Sequence, residues 1–263
     1  MIAEDGRILS RVRLVCHCLL IESAEGLVLV DCGLGMEDIQ HAKRRLGNAF
    51  LRLVNPTLSE EGTALRQIEA LGFTREDVRH VILTHLDPDH AGGMADFPAA
   101  QIHLFHSEHQ AATQKRSLLE RHRYRKELWD HSPKWRLHQA TGETWNGFRS
   151  IRAISEKISE ILLIPLEGHS RGHCGVAVQT DGDRWLLHAG DAYFHHRQLS
   201  PSGPKMPKGL AIYEKVIQHD GRARRENLDL IRELIQDHSS SISIFCSHDP
   251  WEFRRMNQPK STP

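Results

Sequence analysis

The most informative stretch of the sequence is Thr84-His85-Leu86-Asp87-Pro88-Asp89-His90-Ala91-Gly92-Gly93. It follows directly on the apolar run Val81-Ile82-Leu83, which is typical of a buried β-strand. Four side chains that can bind metals therefore fall within six residues, in a loop at a strand end, where ligands usually lie. The proline stiffens the loop, and the two glycines let the backbone turn into a helix. A mere polar helix cap is the alternative, but the close spacing favours a metal cluster.

Three later apolar runs end in the same kind of residue. Residues 163–166 lead into Glu167-Gly168-His169-Ser170-Arg171-Gly172-His173, residues 185–189 into Gly190-Asp191, and residues 242–246 into Ser247-His248-Asp249. Four strand ends that present histidine and aspartate toward one place would form a site for two metal ions.

The composition indicates a globular protein with a proper core. Apolar residues make up 39% of the 263 residues, and the 34 basic and 34 acidic side chains cancel. This balance argues against a general nucleic-acid binder, so we expect a small-molecule substrate. The 19 histidines are unusual, but an excess of histidine alone is weak evidence for metal binding.

The five cysteines and the start of the sequence indicate a cytoplasmic protein. The number of cysteines is odd, and each lies in or beside an apolar run, which favours reduced, buried thiols. Core packing is favoured for Cys16 and Cys18 over a metal site, because no second pair completes one. We recognise neither a signal peptide nor an apolar run of the ~18–20 residues that a membrane span needs. A homodimer is left open.

The apolar pattern predicts an α/β chain of one domain, residues 1–263, with two packed sheet halves and helices outside them, a four-layer αββα sandwich. Strands are expected over residues 12–22, 26–30, 78–84, 101–105, 158–166, 175–180, 184–189 and 241–246. Helices are expected over residues 36–46, 60–71 with Ser59 as cap, 91–97, 107–114 and 227–238. Residues 115–152 are rich in charge and poor in aliphatic side chains, so we interpret them as an insertion, a helical cap followed by a short hairpin.

These motifs, in this order, resemble the metallo-β-lactamase superfamily, whose signature is H-x-H-x-D-H, then G-H, G-D and a final H. The stretch His169–His173, within G-H-S-R-G-H, is most similar to the branch of N-acyl homoserine lactone lactonases and glyoxalase II-like enzymes. Val30-Asp31-Cys32-Gly33 matches an early D-x-G turn of the superfamily. The resemblance runs from Val12 to about Pro250 and implies the metallo-β-lactamase fold.

The resemblance also implies a ligand set for two divalent metal ions, with zinc as the first expectation. Metal one would be bound by His85, Asp87 and His169, and metal two by Asp89, His90 and His248, with Asp191 bridging both. A hydroxide between the metals would be the nucleophile, because two cations lower the pKa of bound water. Asp89 would orient this hydroxide and pass a proton to the leaving oxygen.

The sequence departs from the family at Asp87, where the signature has its second histidine. An aspartate is harder, shorter and negatively charged, so it would shift the metal preference toward iron or manganese. The diiron redox branch of the superfamily has a carboxylate at this place. Asp87 as a non-ligand, beside a weakened metal site, is the other interpretation.

Other site residues are weaker predictions. Tyr193 lies one residue before the position at which lactonases of this family have a tyrosine that supports the substrate carbonyl, and we predict a catalytic role against simple packing. We expect Asp31 and His173 to orient ligands, and His188 to be structural. His195 and His196 would line the mouth of the site or form a solvated pair. The basic residues from Lys115 to Lys126 are a solvated helix face or a lid for an anionic substrate.

The function predicted from this resemblance is the hydrolysis of a lactone or similar ester. Phosphodiester hydrolysis on the same two metals is one alternative, and a diiron redox protein is another, although the sequence has no evident flavin domain. A non-catalytic scaffold is disfavoured, because competent residues fill the ligand positions. The fold alone does not decide between these activities.

Overall fold

Two β-sheets packed face to face form the centre of the molecule. The computed structural model describes residues 12–140, 143–154, 161–180, 182–200 and 206–258. In this part of the chain the first sheet has the order β1-β2-β3-β4-β5 and the second the order β11-β10-β9-β8-β7-β6. The first contains β1 (Leu19–Ser23), β2 (Gly26–Val30), β3 (Val78–Ile82), β4 (Gln101–Phe105) and β5 (Lys134–His138). The second contains β6 (Glu143–Trp145), β7 (Phe148–Arg152), β8 (Ile161–Pro165), β9 (Cys174–Gln179), β10 (Trp185–His188) and β11 (Ile242–Phe245).

Helices cover the outer faces of both sheets. They are α1 (Met36–Gln40), α2 (Ala42–Arg45), α3 (Gly47–Val54), α4 (Ala64–Ala70), α5 (Pro88–Ala91), α6 (His106–Gln114), α7 (Leu118–Arg123), α8 (Lys208–Ile217), α9 (Gly221–His238) and α10 (Pro250–Met256). None of the helices in the described ranges combines the length and the apolar character that crossing a membrane requires.

Three hydrophobic clusters define four layers. Side chains alternate along each strand, so Val28, Val30 and Ile82 face Leu163 and Val176 of the other sheet and form the central cluster. The opposite faces pack on helices, with α4 on the first sheet and α9 on the second. The predicted αββα sandwich is therefore confirmed.

The strand directions bring the predicted site residues to one edge. β2, β3, β4 and β5 are parallel, so their carboxyl ends meet at one side of the first sheet. In the second sheet β8 and β10 both run antiparallel to β9, and β11 runs parallel to β10. The loops after β3, β8, β10 and β11, which contain the histidines and aspartates, thus come together.

Several predicted boundaries are wrong. The first strand begins at Leu19 instead of residue 12, because the preceding segment follows the loop after β11: the His17 amide donates to the Ser247 carbonyl at 2.9 Å. The helix expected over residues 36–46 is interrupted at His41. Thr63, not Ser59, caps α4 by accepting from the Arg66 amide. Residues 1–11 and the first part of the strand expected at 158–166 lie outside the described residues.

The stretch 115–152 belongs to the two sheets as well as to the surface. It begins with the predicted helix, α7, and ends with the predicted hairpin, β6 and β7. Between them β5 pairs with β4, and at the end of the stretch β7 pairs with β8. The stretch therefore closes the edges of both sheets, which an appended cap would not do.

A chain of three histidines crosses the inner face of the first sheet. His103 on β4 lies between His80 on β3 and His138 on β5, with nitrogen–nitrogen distances of 2.9 Å on both sides. Burial, aided by the two neighbouring histidines, lowers the pKa of His103 to about 3. The imidazole is therefore neutral in the folded protein at pH values where the unfolded chain protonates it.

We expect His103→Gln to flatten the loss of stability in acid. Between the ordinary histidine pKa and about 3 the unfolded chain binds a proton that folded His103 does not, so the group costs about 1.4 kcal/mol per pH unit as the pH falls. Urea unfolding at a series of pH values from neutral to mildly acidic measures this slope. The exposed His122→Gln is the matched control. An unchanged slope in His103→Gln would show that the histidine chain protonates in the folded state.

Candidate metal centre

The structure brings all seven predicted metal ligands together. Their ligand atoms form three overlapping groups, in each of which the atoms lie within 4.8 Å of one another: His85, Asp87 and His169; His85, His90 and Asp191; and Asp89, His90 and His248. All three histidines of the first two groups and Asp191 are buried. These side chains are of the types that bind zinc, iron or manganese.

Asp191 lies at the middle of the cluster. Its Oδ2 faces Nε2 of His169 at 3.5 Å and Nε2 of His85 at 3.9 Å, and its Oδ1 faces Nε2 of His248 at 3.2 Å and Nε2 of His90 at 3.4 Å. Burial raises the pKa of Asp191, but His248, His90 and His169 outweigh it and hold the pKa well below its usual range. One carboxylate thus presents an oxygen to each half of the cluster.

Three of the ligand histidines are fixed through Nδ1. His85 Nδ1 lies 3.0 Å from the Thr84 hydroxyl, His90 Nδ1 lies 2.8 Å from Asp31 Oδ2, and His248 Nδ1 donates to the Val15 carbonyl at 2.7 Å. The Nε2 atoms are therefore left to face the centre, an arrangement that is usual for histidines that bind metal.

Unpartnered polar atoms in the cluster fit a bound cation. Nε2 of His85 and Oδ1 of Asp191 are buried and make no hydrogen bond with any residue that the structure describes. Buried polar atoms rarely remain without a partner, and lone pairs on nitrogen and carboxylate oxygen suit a divalent ion. The donor set therefore fits a metal.

The predicted supporting residues lie where expected. Asp31 accepts from the amide and the hydroxyl of Thr84 as well as from His90, and His90 lowers its pKa to about 2 against the effect of burial. His173 Nδ1 donates to the Leu166 carbonyl, and its Nε2 accepts from the Asp191 amide at 2.8 Å. His188 donates to the His17 carbonyl and is structural. Asp31 and His173 thus orient the ligands.

The two glycines after His90 serve close packing. Gly92 has ordinary helical angles, but a Cβ there would lie 2.0 Å from Asp38 Oδ2. A Cβ at Gly93 would lie 2.5 Å from the Cys32 carbonyl oxygen. The prediction that the glycines permit a sharp turn is corrected: they let the ligand loop lie against the segment after β2.

Tyr193 does not reach the centre. Its ring is fully buried in the second sheet's outer core, and its hydroxyl donates to the Glu252 carboxylate at 3.0 Å. This placement speaks against the predicted catalytic role, because a side chain with no exposed surface cannot contact a substrate. His195 and His196 also lie apart from the centre, and His196 donates to Asp249 at 2.6 Å.

A cleft of about 1240 Å³ opens onto the centre. Asp89, Asp191 and His248 line it together with Phe194 and Tyr213, two aromatic residues that the sequence analysis did not assign. Cys16 also borders the cleft and is exposed, so the prediction that it packs in the core is wrong. The three cysteines Cys32, Cys174 and Cys246 are buried thiols, as predicted.

Glu108 joins the two main ligand loops, and the sequence analysis missed it. This fully buried carboxylate on α6 accepts from the Leu86 amide at 3.2 Å and the Gly172 amide at 2.9 Å. It also accepts from the hydroxyls of Tyr124 and Ser170. No sequence motif marks a lone helical glutamate, so only the tertiary contacts reveal this role.

A family model described as the metallo-beta-lactamase superfamily matches residues 11–236. A probable metallo-hydrolase of Mycobacterium tuberculosis is 41% identical over 239 residues, which cover 91% of this chain and 76% of that protein. An N-acyl homoserine lactonase of Bacillus cereus is 26% identical over 187 residues, 71% of this chain and 67% of that protein.

Solved structures show the same fold. A variant of B. thuringiensis AiiA, with N-decanoyl-L-homoserine bound at its active site, has a TM-score of 0.68 at 20% identity and covers 95% of this chain and 86% of its own. A dizinc quorum-quenching lactonase, AidC, has a TM-score of 0.57 at 20% identity, with 90% and 74% covered. The family model and the 41% identical relative of M. tuberculosis establish that the chain belongs to the metallo-beta-lactamase superfamily and is a metallo-hydrolase.

Proposed function

We propose that this metallo-hydrolase binds two divalent ions, zinc in the first instance, and opens a lactone or a similar ester. The observation that carries the proposal is the position of Asp191, which presents one oxygen to His85 and His169 and the other to His90 and His248. Such an arrangement suits two ions that share one bridging carboxylate. The first would be bound by His85, Asp87 and His169, and the second by Asp89, His90 and His248.

The two ions would supply Lewis acidity, which polarises an ester carbonyl and lowers the pKa of water. Asp89 is placed to transfer a proton between water and substrate, because its side chain is partly exposed to the cleft and lies only 3.6 Å from His248. In this position it can orient the attacking water and later deliver a proton to the leaving oxygen.

Tyr213 is placed to contact a substrate in the cleft. Burial, with Asp89 and Asp87 next in effect, raises the pKa of Tyr213, so its phenol stays protonated and can donate a hydrogen bond. Its ring meets Phe194 edge to face, with a distance of 6.1 Å between ring centroids. We propose that these two rings form one wall around the substrate, with Tyr213 in the role first predicted for Tyr193.

The basic stretch 115–126 offers no free cation for a phosphodiester in the cleft among its residues that line it. Of the basic stretch 115–126, Arg123 and Arg125 reach the cleft, and both are already engaged: Arg123 with Asp87, and Arg125 with the carbonyls of Arg44 and Arg45. Many other lining residues are apolar, such as Phe50 and Leu53 of α3. The names of the related N-acyl homoserine lactonases agree with a lactone substrate.

Metal analysis of protein purified without added metal tests the proposal. We expect about two zinc ions per chain, and turnover of lactones ahead of bis(p-nitrophenyl) phosphate in a common panel. Phosphodiester turnover without lactone turnover would contradict the lactone or ester substrate and favour a phosphodiesterase. About two iron ions with oxygen uptake would favour redox chemistry, and one ion or none would contradict the two-metal centre.

The remaining sequence predictions concern the substrate, the location and the assembly of the enzyme. We propose a small molecule as the substrate in the cleft. The cytoplasmic location, the single domain and the open question of a homodimer stay predictions.

A further inference from the structure

Arg123, the last residue of α7, reaches from the 115–152 stretch into the metal centre. Its Nε lies 3.4 Å from Asp87 Oδ1, and its side chain is only 6% exposed. One terminal nitrogen donates to the His169 carbonyl at 2.9 Å, and the other donates to the Ile217 carbonyl. The guanidinium is therefore fixed by three different segments, two of which contain a member of the first ligand group.

The contact decides which oxygen of Asp87 faces the histidines. Oδ1 faces Arg123, whereas Oδ2 lies 3.1 Å from His169 Nε2 and 3.4 Å from His85 Nε2. Asp87 thus presents one oxygen to Arg123 and the other to the first ligand group.

A buried guanidinium beside a site for cations requires a negative partner. An unpaired charge in the interior is strongly unfavourable, and a second positive charge nearby adds repulsion. Among the described contacts of Arg123, Asp87 is the charged partner, and the other two are carbonyls. The pair of Arg123 and Asp87 therefore has no net charge.

We propose that Arg123 cancels the charge of Asp87 and fixes which of its oxygens faces the centre, so that the pair sets the metal affinity and preference of the first site. Arg123 is a positioning residue, acting through Asp87. The inference rests on the proposed two-metal centre. A neutral pair weakens the preference for hard ions that a lone aspartate would impose, so the pair favours zinc over iron or manganese.

A double-mutant cycle on Asp87→His and Arg123→Met tests the proposal, with two readouts: the Tm of the metal-free protein and the zinc bound per chain. In the wild-type background Arg123→Met should lower the Tm by about 6 °C or more, because it leaves a buried carboxylate unpaired. In the Asp87→His background Arg123→Met should lower the Tm by less than half as much, or raise it, because the Arg123 guanidinium has already lost its carboxylate partner.

Zinc content should follow the same logic. The zinc content of Asp87→His alone should drop to about one ion per chain, because unpaired Arg123 then repels the ion of the first site. The double variant should again bind about two. Arg123→Lys, which keeps the charge but not the three-way contact, should give intermediate values. Arg121→Met on the exposed side of the same helix is the matched control.

Equal Tm losses from Arg123→Met in both backgrounds, or no recovery of zinc in the double variant, would overturn the inference and leave Arg123 as a tether between segments. Wild-type protein that binds no metal would instead overturn the proposed centre, and this is seen before any variant is made. If Arg123→Met does not fold, the cycle is completed with Arg123→Lys, whose Tm loss should likewise differ between the two backgrounds.

Discussion

Asp191→Ala is expected to abolish hydrolysis, with kcat/KM lower by about 10³-fold or more, and to lower the metal content of the purified protein. Asp191 alone among the described side chains presents one oxygen to His85 and His169 and the other to His90 and His248. Its loss should therefore weaken the binding of both ions at once, because it removes the one carboxylate that all four imidazoles face. Elemental analysis and turnover of the best lactone in the panel measure the two effects.

Asp183→Ala is the control for this prediction. Asp183 is an exposed aspartate just before β10, and its loss should change neither metal content nor turnover. Near-normal kcat in Asp191→Ala would contradict the assignment of Asp191 as the shared ligand. Loss of turnover with two ions still bound would show that Asp191 orients the reaction without holding the metals.

Glu108→Gln is expected to be the most destabilising single change at the centre, by about 2–4 kcal/mol of unfolding free energy. The carboxylate accepts from two amides and two hydroxyls. An amide side chain keeps one acceptor oxygen and places its own N–H groups against these donors. Because the two amides belong to the loops that contain Asp87 and His169, metal affinity should fall as well.

Glu69→Gln serves as the matched control. Glu69 is exposed on α4 and pairs with Arg66, so its change to glutamine should alter the free energy of unfolding by less than about 1 kcal/mol. Urea unfolding of the metal-free proteins and zinc competition with a chelator give the two quantities. If Glu108→Gln left both unchanged, the two loops would be held by their own strands and not by this carboxylate.

The sequence was sufficient to predict the layered fold and which side chains lie together. Each of His85, His169, Asp191 and His248 follows an apolar strand within a few residues, so a local pattern carries the information. The strand ends then meet because parallel strands share an edge. The grouping of these ligands therefore follows largely from local patterns in the amino-acid sequence.

The supporting contacts could not be predicted in this way. Glu108 and Arg123 act over 22 and 46 residues of sequence separation, on Leu86 and His169 respectively, and each sits in a helix of ordinary composition. The charge run around Arg123 favoured a solvated face, and only the tertiary packing of α7 turns this one arginine inward. Likewise, Ser59 and Thr63 are both good helix caps, and the 3₁₀ turn Glu60–Gly62 decides between them.

Tyr193 shows the limit of arguing from position along the chain. One residue separates it from Phe194, yet Tyr193 points into the helix-facing core while Phe194 lines the cleft. In this loop the two neighbouring rings face opposite ways, so a shift of one position exchanges a buried ring for one that lines the cleft. The phenol that lines the cleft belongs instead to Tyr213, which lies 20 residues further along the sequence, in α8.

The hydrogen bond between Val15 and His248 has a consequence for how the enzyme matures in a cell. It joins residues 233 positions apart, and the same imidazole belongs to the second ligand group. Because a ribosome makes the amino-terminal part first, His85 and His90 leave the exit tunnel long before His248 exists. The full ligand set can assemble only after His248 has been made, so loading of the two proposed ions would follow the meeting of Val15 and His248 and would report that this contact has formed.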